Sequence, residues 1–133
     1  MNGLLSILSL VSFVSIRDCA PYSVFRINSL YLEPMILKGD DPFLVHLRYT
    51  VPDGILVKNG TVTYSPKYNF IPFDPVSKLL CTVADCPIRP GTYTNNSMNA
   101  WPWGIREEFS TEMIWRDDNR SVLLCLSINS KMM

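Results

Sequence analysis

The residues best suited to chemistry in this chain are four cysteines, Cys19, Cys81, Cys86 and Cys125, and one histidine, His46. Thiolates and imidazole are the usual ligands of a structural zinc ion, but no Cys-x-x-Cys pair is present and His46 has no second histidine to work with. No metal site is expected. Catalytic signatures are equally absent: the sequence holds no Gly-rich phosphate loop, no GxSxG and no HExxH. The acidic pairs Asp40-Asp41, Glu107-Glu108 and Asp117-Asp118 are sequence neighbours. Neighbours on a strand point to opposite faces, so adjacency builds no acid/base dyad. His46 lies on the polar side of an alternating segment and reads as a solvated surface histidine. The chain is therefore not expected to be an enzyme or to need a cofactor. The chemistry left to the cysteines is cross-linking.

An even cysteine count behind an apolar start argues for two disulfides. Residues 3–16 carry no charge and are dominated by Leu, Ile, Val, Phe and Ser. That run is short for a bilayer-spanning helix and suits the apolar region of a signal peptide, with residues 1–15 removed and 16–133 forming one domain. The alternative for the same run is a buried N-terminal helix or strand. Three cysteine pairings are formally possible. Cys81–Cys86 would close a short loop, and Cys19–Cys125 would then tie the start of the domain to its end. Closing a loop of that size stabilises a fold by about 4–5 kcal/mol in the chain-entropy model. The sequons at Asn59, Asn95 and Asn119 fit the secretory route.

The elements that position these residues read as strands. Within 133 residues there are ten prolines, frequent Gly/Asn/Asp turns and no helix-period segment of useful length. This is the punctuation of a β-sandwich or barrel. Phe43, Val45, Leu47, Tyr49 and Val51 alternate with Leu44, His46, Arg48 and Thr50, which predicts a strand with one buried face. Further strands are predicted over 27–32, 55–57, 61–64, 76–82 and 109–115, the last joined by the turn Asp117–Arg120 to a strand carrying Val122, Leu124, Leu126 and Ile128 inward. Formal net charge is zero and 18% of residues are charged, so no basic footprint for nucleic acid is present. Trp101-Pro102-Trp103-Gly104 is a poor core segment. Indoles suit an apolar–aqueous boundary, so Trp101 and Trp103 are candidates for membrane contact, with Arg89 and Arg106 able to attract anionic headgroups.

Taken in order, these pieces resemble the ML lipid-recognition domain family, and most closely its Niemann–Pick type C2-like sterol-carrier branch. The resemblance rests on Asp18-Cys19, Leu30-x-Leu32-x-Pro34, Lys38-Gly39, Phe43-x-Val45-x-Leu47-x-Tyr49-Thr50, Gly60-x-Val62, Cys81 through Cys86-Pro87-Ile88 with Tyr93, and Trp115-x-Asp117-Asp118-Asn119-x-Ser121 leading to Cys125. It implies an all-β, immunoglobulin-like sandwich of two antiparallel sheets with a lipid cavity between them, and the pairings Cys19–Cys125 and Cys81–Cys86. The implied cavity residues are Val45, Leu47, Tyr49, Val62, Tyr64, Ile88, Tyr93, Met113, Trp115, Leu124 and Leu126. The implied function is a secreted or endolysosomal lipid-binding and transfer protein. It would act as a monomer holding a sterol or phospholipid tail, in transient contact with membranes and with a lipid-accepting membrane protein. The chain lacks cysteines for the branch's additional disulfide and carries the Trp-Pro-Trp insertion. A tail buried between sheets would gain about 0.8 kcal/mol per methylene. The competing reading of the same alternating strands is an ordinary filled sandwich, an Ig-like module that recognises protein and carries no lipid.

Overall fold

The computed structural model describes residues 11–33, 36–38, 42–99 and 109–132. Ten strands follow one another: β1 (Val11–Asp18), β2 (Arg26–Glu33), β3 (Ile36–Lys38), β4 (Phe43–Val51), β5 (Gly60–Tyr68), β6 (Ile71–Pro72), β7 (Val76–Leu79), β8 (Gly91–Asn99), β9 (Phe109–Asp117) and β10 (Val122–Met132). A single 3₁₀ turn, Leu80–Thr82, leads from β7 into the short cysteine loop. The larger sheet runs β3-β1-β10-β9-β5-β6, with β7 also paired to β5; the smaller runs β2-β4-β8. Every strand pairing is antiparallel. Among the described residues no helix is long and apolar enough to cross a membrane.

β4 is the clearest case of sequence dictating placement. As the middle strand of the small sheet it turns one face to the core, and Phe43, Val45, Leu47, Tyr49 and Val51 are all buried. β9 and β10 form a hairpin whose turn is held by Asp117. Its Oδ1 accepts from the backbone N–H groups of Asn119 and Ser121, each at 2.9 Å. Such side-chain-to-backbone bonding is why aspartate favours turns.

Two features of the large sheet concern the ends of the chain. Residues 11–15, which the signal-peptide reading assigns to a removed segment, belong to β1, and Val14 is fully buried. An uncharged, β-branched run suits both an apolar leader and a buried strand, so composition does not separate the two. In β10 burial does not alternate: Leu123 to Ile128 are all buried. A bulge between Val122 and Leu124 interrupts the register. Residues 19–25 also run beside this strand, with Cys19, Val24 and Phe25 donating to the carbonyls of Cys125, Val122 and Leu123. Leu123 therefore packs in the core instead of facing solvent.

Three smaller differences concern the middle of the chain. Residues 55–57 form no strand; Val57 makes one isolated bridge, exchanging backbone hydrogen bonds of 3.0 and 2.7 Å with Ile88. The strand expected over 76–82 stops at Leu79, where the 3₁₀ turn begins. The segment after Tyr93, read as loop, is strand through Asn99. Its side chains are mostly polar, so it carries no hydrophobic period. The disulfides are Cys19–Cys125 and Cys81–Cys86, as the resemblance implies.

Gly60 begins β5 where that strand meets β9, opposite Asp117. A Cβ there would run into the carbonyl oxygen of Arg116 and crowd the Leu80 side chain. Gly60→Ala is expected to lower unfolding free energy by roughly 1–3 kcal/mol, the usual range for overpacking. Urea denaturation checks this.

Candidate functional site

The core divides into two clusters. One gathers Phe25, Leu47, Tyr49, Val51, Val62, Leu80, Ile88, Trp115, Leu124 and Leu126; the other gathers Val14, Leu32, Phe43, Val45, Phe109 and Ile128. A cavity of about 270 Å³ touches both and is lined by Val45, Leu47, Tyr64, Lys78, Val83, Asn95, Ser97, Thr111, Met113, Trp115, Leu126 and Ile128. These residues come from both sheets, so the space lies between them. Facing residues on paired strands share a face, which explains the lining. Tyr64 stands opposite Met113 and Met113 opposite Leu126. Val62 stands between Lys78 and Trp115 in the same manner.

A second concavity, also about 270 Å³, lies beside the cysteine loop and is lined by Tyr49, residues 81–85, Ile88, Tyr93, Thr94 and Asn95. Val83 and Asn95 border both spaces. The Asn95 amide donates to the Val83 carbonyl at 3.1 Å, stitching β8 to the stapled loop. They form the partition between an apolar interior and a more polar outer recess.

Of the implied cavity residues, Val45, Leu47, Tyr64, Met113, Trp115 and Leu126 line the inner cavity. Tyr49, Ile88 and Tyr93 face the recess. Val62 and Leu124 are packed in the core and border neither space. Sequence reasoning missed Lys78, Val83, Asn95, Ser97, Thr111 and Ile128 in the inner lining. Thr111 and Ile128 could have been found, since each shares its strand face with a named residue. Lys78 could not, because a lysine on a short strand reads as surface. Trp101, Trp103 and Arg106 lie outside the described residues.

His46 is not simply solvated. Its ring stacks on Tyr31 with centroids 4.3 Å apart, and its nitrogens lie 2.9 Å from Glu33 Oε2 and 3.2 Å from Asn96 Oδ1. All four residues lie on the outer side of the small sheet, away from the cavity. A cross-strand neighbour, invisible in a one-strand reading, supplies the cover. Cys19, Glu112 and Cys125 cluster within 4.8 Å, but the two sulfurs are bonded to each other and offer no thiolate to a metal.

Polar groups in the lining are unevenly satisfied. Tyr93 donates its hydroxyl to the Arg89 carbonyl at 2.7 Å. The Trp115 indole N–H is buried with no acceptor. Burial pushes the Tyr49 phenol up to about 12, with the nearby Tyr93 and Asp85 adding to the shift. An unfolded chain releases that proton near the ordinary value of about 10. The folded chain holds the proton longer, so this contribution to stability is complete below pH ~10 and is lost as pH rises towards ~12. Tyr49→Phe is expected to lose stability less steeply than the parent between pH 9 and pH 11. Urea midpoints measured across that range check the difference.

No protein-family model matches the chain, and no curated protein matches it. Solved structures do. Chicken MD-1, crystallised in complex with lipid IVa, superposes with a TM-score of 0.57 at 10% identity, covering 91% of this chain and 90% of MD-1. A Niemann–Pick type C2 protein from the Japanese carpenter ant superposes with a TM-score of 0.60 at 12% identity, covering 86% of this chain and 96% of that one. Both matches span nearly the whole chain and include both sheets. The two-sheet sandwich of this chain is the ML-domain fold.

Proposed function

We propose that this chain is a lipid-binding carrier of the secretory route that holds an aliphatic tail between its two sheets. The observation that carries the reading is the inter-sheet cavity lined by Val45, Leu47, Met113, Trp115, Leu126 and Ile128. Interiors are normally close-packed, so a cavity of about 270 Å³ between apolar faces calls for an occupant. It falls just under the range of roughly 300–1,000 Å³ common for small-molecule sites, which fits one slender tail better than several. The MD-1 structure of the same fold was solved with lipid IVa, and a lipid ligand is consistent with this reading. Binding of this kind needs no nucleophile, base or metal.

Two disulfides suit an oxidising compartment, secreted or endolysosomal. Transient membrane contact, and delivery to a lipid-accepting membrane protein, complete the proposed cycle. Sterol and phospholipid tails are both candidate cargo. The rival reading, a protein-recognition module, draws support from Phe70, Ile71, Val76 and Leu79, which are exposed around β6 and β7.

Organic extraction of natively purified protein separates the two readings. A carrier is expected to release lipid close to one molecule per chain, and a lipid-free extract would favour the module. Met113→Trp fills the cavity from β9 and is expected to reduce extracted lipid by about fivefold or more. Because the added bulk enters space instead of packed core, melting should stay within about 5 °C of the parent.

Glycosylation is proposed at the exposed turn residues Asn59 and Asn119. Asn95 differs: it sits in β8, half-buried, with its amide nitrogen committed to Val83. That nitrogen is the atom a glycan would occupy. Glycopeptide mapping of protein from a secretory host is expected to find Asn59 and Asn119 occupied and Asn95 bare. A glycan on Asn95 would overturn its placement in the cavity wall.

A further inference from the structure

The cavity lining is asymmetric in charge. Among the described residues of the lining, Lys78 is the one lysine or arginine, and none is an aspartate or glutamate. Lys78 lies on β7, which pairs only with β5 and so forms a sheet edge. Its position opposite Val62, which in turn faces Trp115, directs it to the inner side of the sheet. The ammonium group sits 5.6 Å from the centroid of the Tyr64 ring, and Tyr64 also lines the cavity. Among the described residues the ion pair formed is that of His46 with Glu33, and no carboxylate lies within pairing distance of Lys78. The cation is thus held over an aromatic face at the cavity's edge with no anion to neutralise it.

A second donor points the same way. Trp115 is 2% exposed, lines the cavity, and its indole N–H has no acceptor. A buried donor without a partner is disfavoured until something supplies an acceptor. Asn95, the amide in the lining, already donates to Val83. The lining therefore offers an unneutralised cation and an unsatisfied donor, with no carboxylate to oppose them. Its complement is a group made of acceptor oxygens bearing negative charge. The remaining wall combines the apolar side chains Val45, Leu47, Met113, Leu126 and Ile128 with the neutral hydroxyls of Tyr64, Ser97 and Thr111.

We infer that the cavity selects a single-chain lipid with an anionic head, carboxylate or phosphate, whose oxygens meet Lys78 at the sheet edge while the tail lies between the sheets. This rests on the carrier reading and sharpens it to a ligand class. A neutral sterol would leave the ammonium group unpaired. Lys78 is exposed, so its attraction is screened by salt and the preference it confers is modest.

Matched pairs of ligands test the inference on the full chain. Displacement of a fluorescent fatty-chain probe is measured with myristate against myristyl alcohol, and with myristoyl lysophosphatidate against monomyristin. Cholesterol is a third arm. Native protein is expected to bind at least one anion about tenfold more tightly than its neutral partner at low salt, a difference of about 1.4 kcal/mol. The anion with the larger ratio identifies the head as carboxylate or phosphate. Lys78→Gln is expected to remove the preference, weakening anion binding about tenfold more than alcohol binding, and 0.5 M salt to shrink it in the parent. Equal binding of anion and neutral partner by the parent would overturn the inference. So would a preference that survives in Lys78→Gln, or cholesterol binding more tightly than either anion; in each case the carrier reading would stand. Failure to bind any of the five ligands would instead remove the carrier reading itself.

Discussion

Tyr49 is the joint on which the sandwich turns. It is buried on β4, the centre of the small sheet, and its ring meets three others at 5.5 Å between centroids: Phe25, Tyr93 and Trp115. Tyr93 comes from β8 of its own sheet and Trp115 from β9 of the facing one. The contact with Trp115 is edge-on, at 81° between planes. Edge-to-face packing holds two large rings at a defined spacing, and the pair adds about 0.5–1.5 kcal/mol beyond the area it buries. This contact ties the two sheets together at a defined spacing. Both adjacent spaces depend on it, since Tyr49 borders the outer recess and Trp115 the inner cavity.

The opposite end of the sandwich carries large aromatic residues of its own, from both sheets. There Phe43 and Phe109 are buried with Val14, Leu32 and Val45, and Tyr68 meets Phe109 at 6.4 Å. Between these aromatic ends the facing residues are slimmer: Leu47, Met113, Leu126 and Ile128. Bulky props at both ends with aliphatic side chains between them leave the middle unfilled. A filled sandwich would need large residues at those central positions, so the cavity follows from the order of side-chain sizes along β4, β9 and β10.

How much of this was legible depended on whether a residue's surroundings came from its own strand. β4 was legible because its alternation carries its own answer: the inward residues are apolar and the outward ones, Leu44 apart, are polar. Its role as central strand of the small sheet agrees with that pattern. β8 was not legible, because Thr92, Thr94, Asn95, Asn96 and Ser97 give no hydrophobic period. They are strand residues because β4 offers a paired edge across its full length. β1 is apolar enough to suit a leader as well as a buried strand, so composition alone does not assign it. Leu123 was misplaced because a bulge breaks the two-residue period, and because residues 19–25 cover a flank that β10 alone cannot reveal. Of the residues named from resemblance, Val45, Leu47, Tyr64, Met113, Trp115 and Leu126 border the inter-sheet space, whereas Val62 and Leu124 lie deeper than it. Face follows from periodicity, whereas depth depends on what the opposite sheet places across the gap.

Asn95 shows how that distinction bears on function. In sequence it is the acceptor of a sequon and reads as a surface turn. In the fold its nitrogen bridges to Val83, and the two residues divide the apolar cavity from the recess that contains Asp85. A hydrogen-bonded amide is well suited to such a partition. An apolar residue there would leave the Val83 carbonyl without this donor, and an ionised one would place a charge at the cavity wall. The amide satisfies the carbonyl and remains neutral. Polarity at the partition thus comes from a group whose donor is already committed. Lys78 Nζ and the buried Trp115 Nε1 carry no such commitment. On the proposed reading, tail accommodation and head recognition fall to different residues on the same sheets: the slim aliphatic positions provide room, and the donors on β7 and β9 provide discrimination.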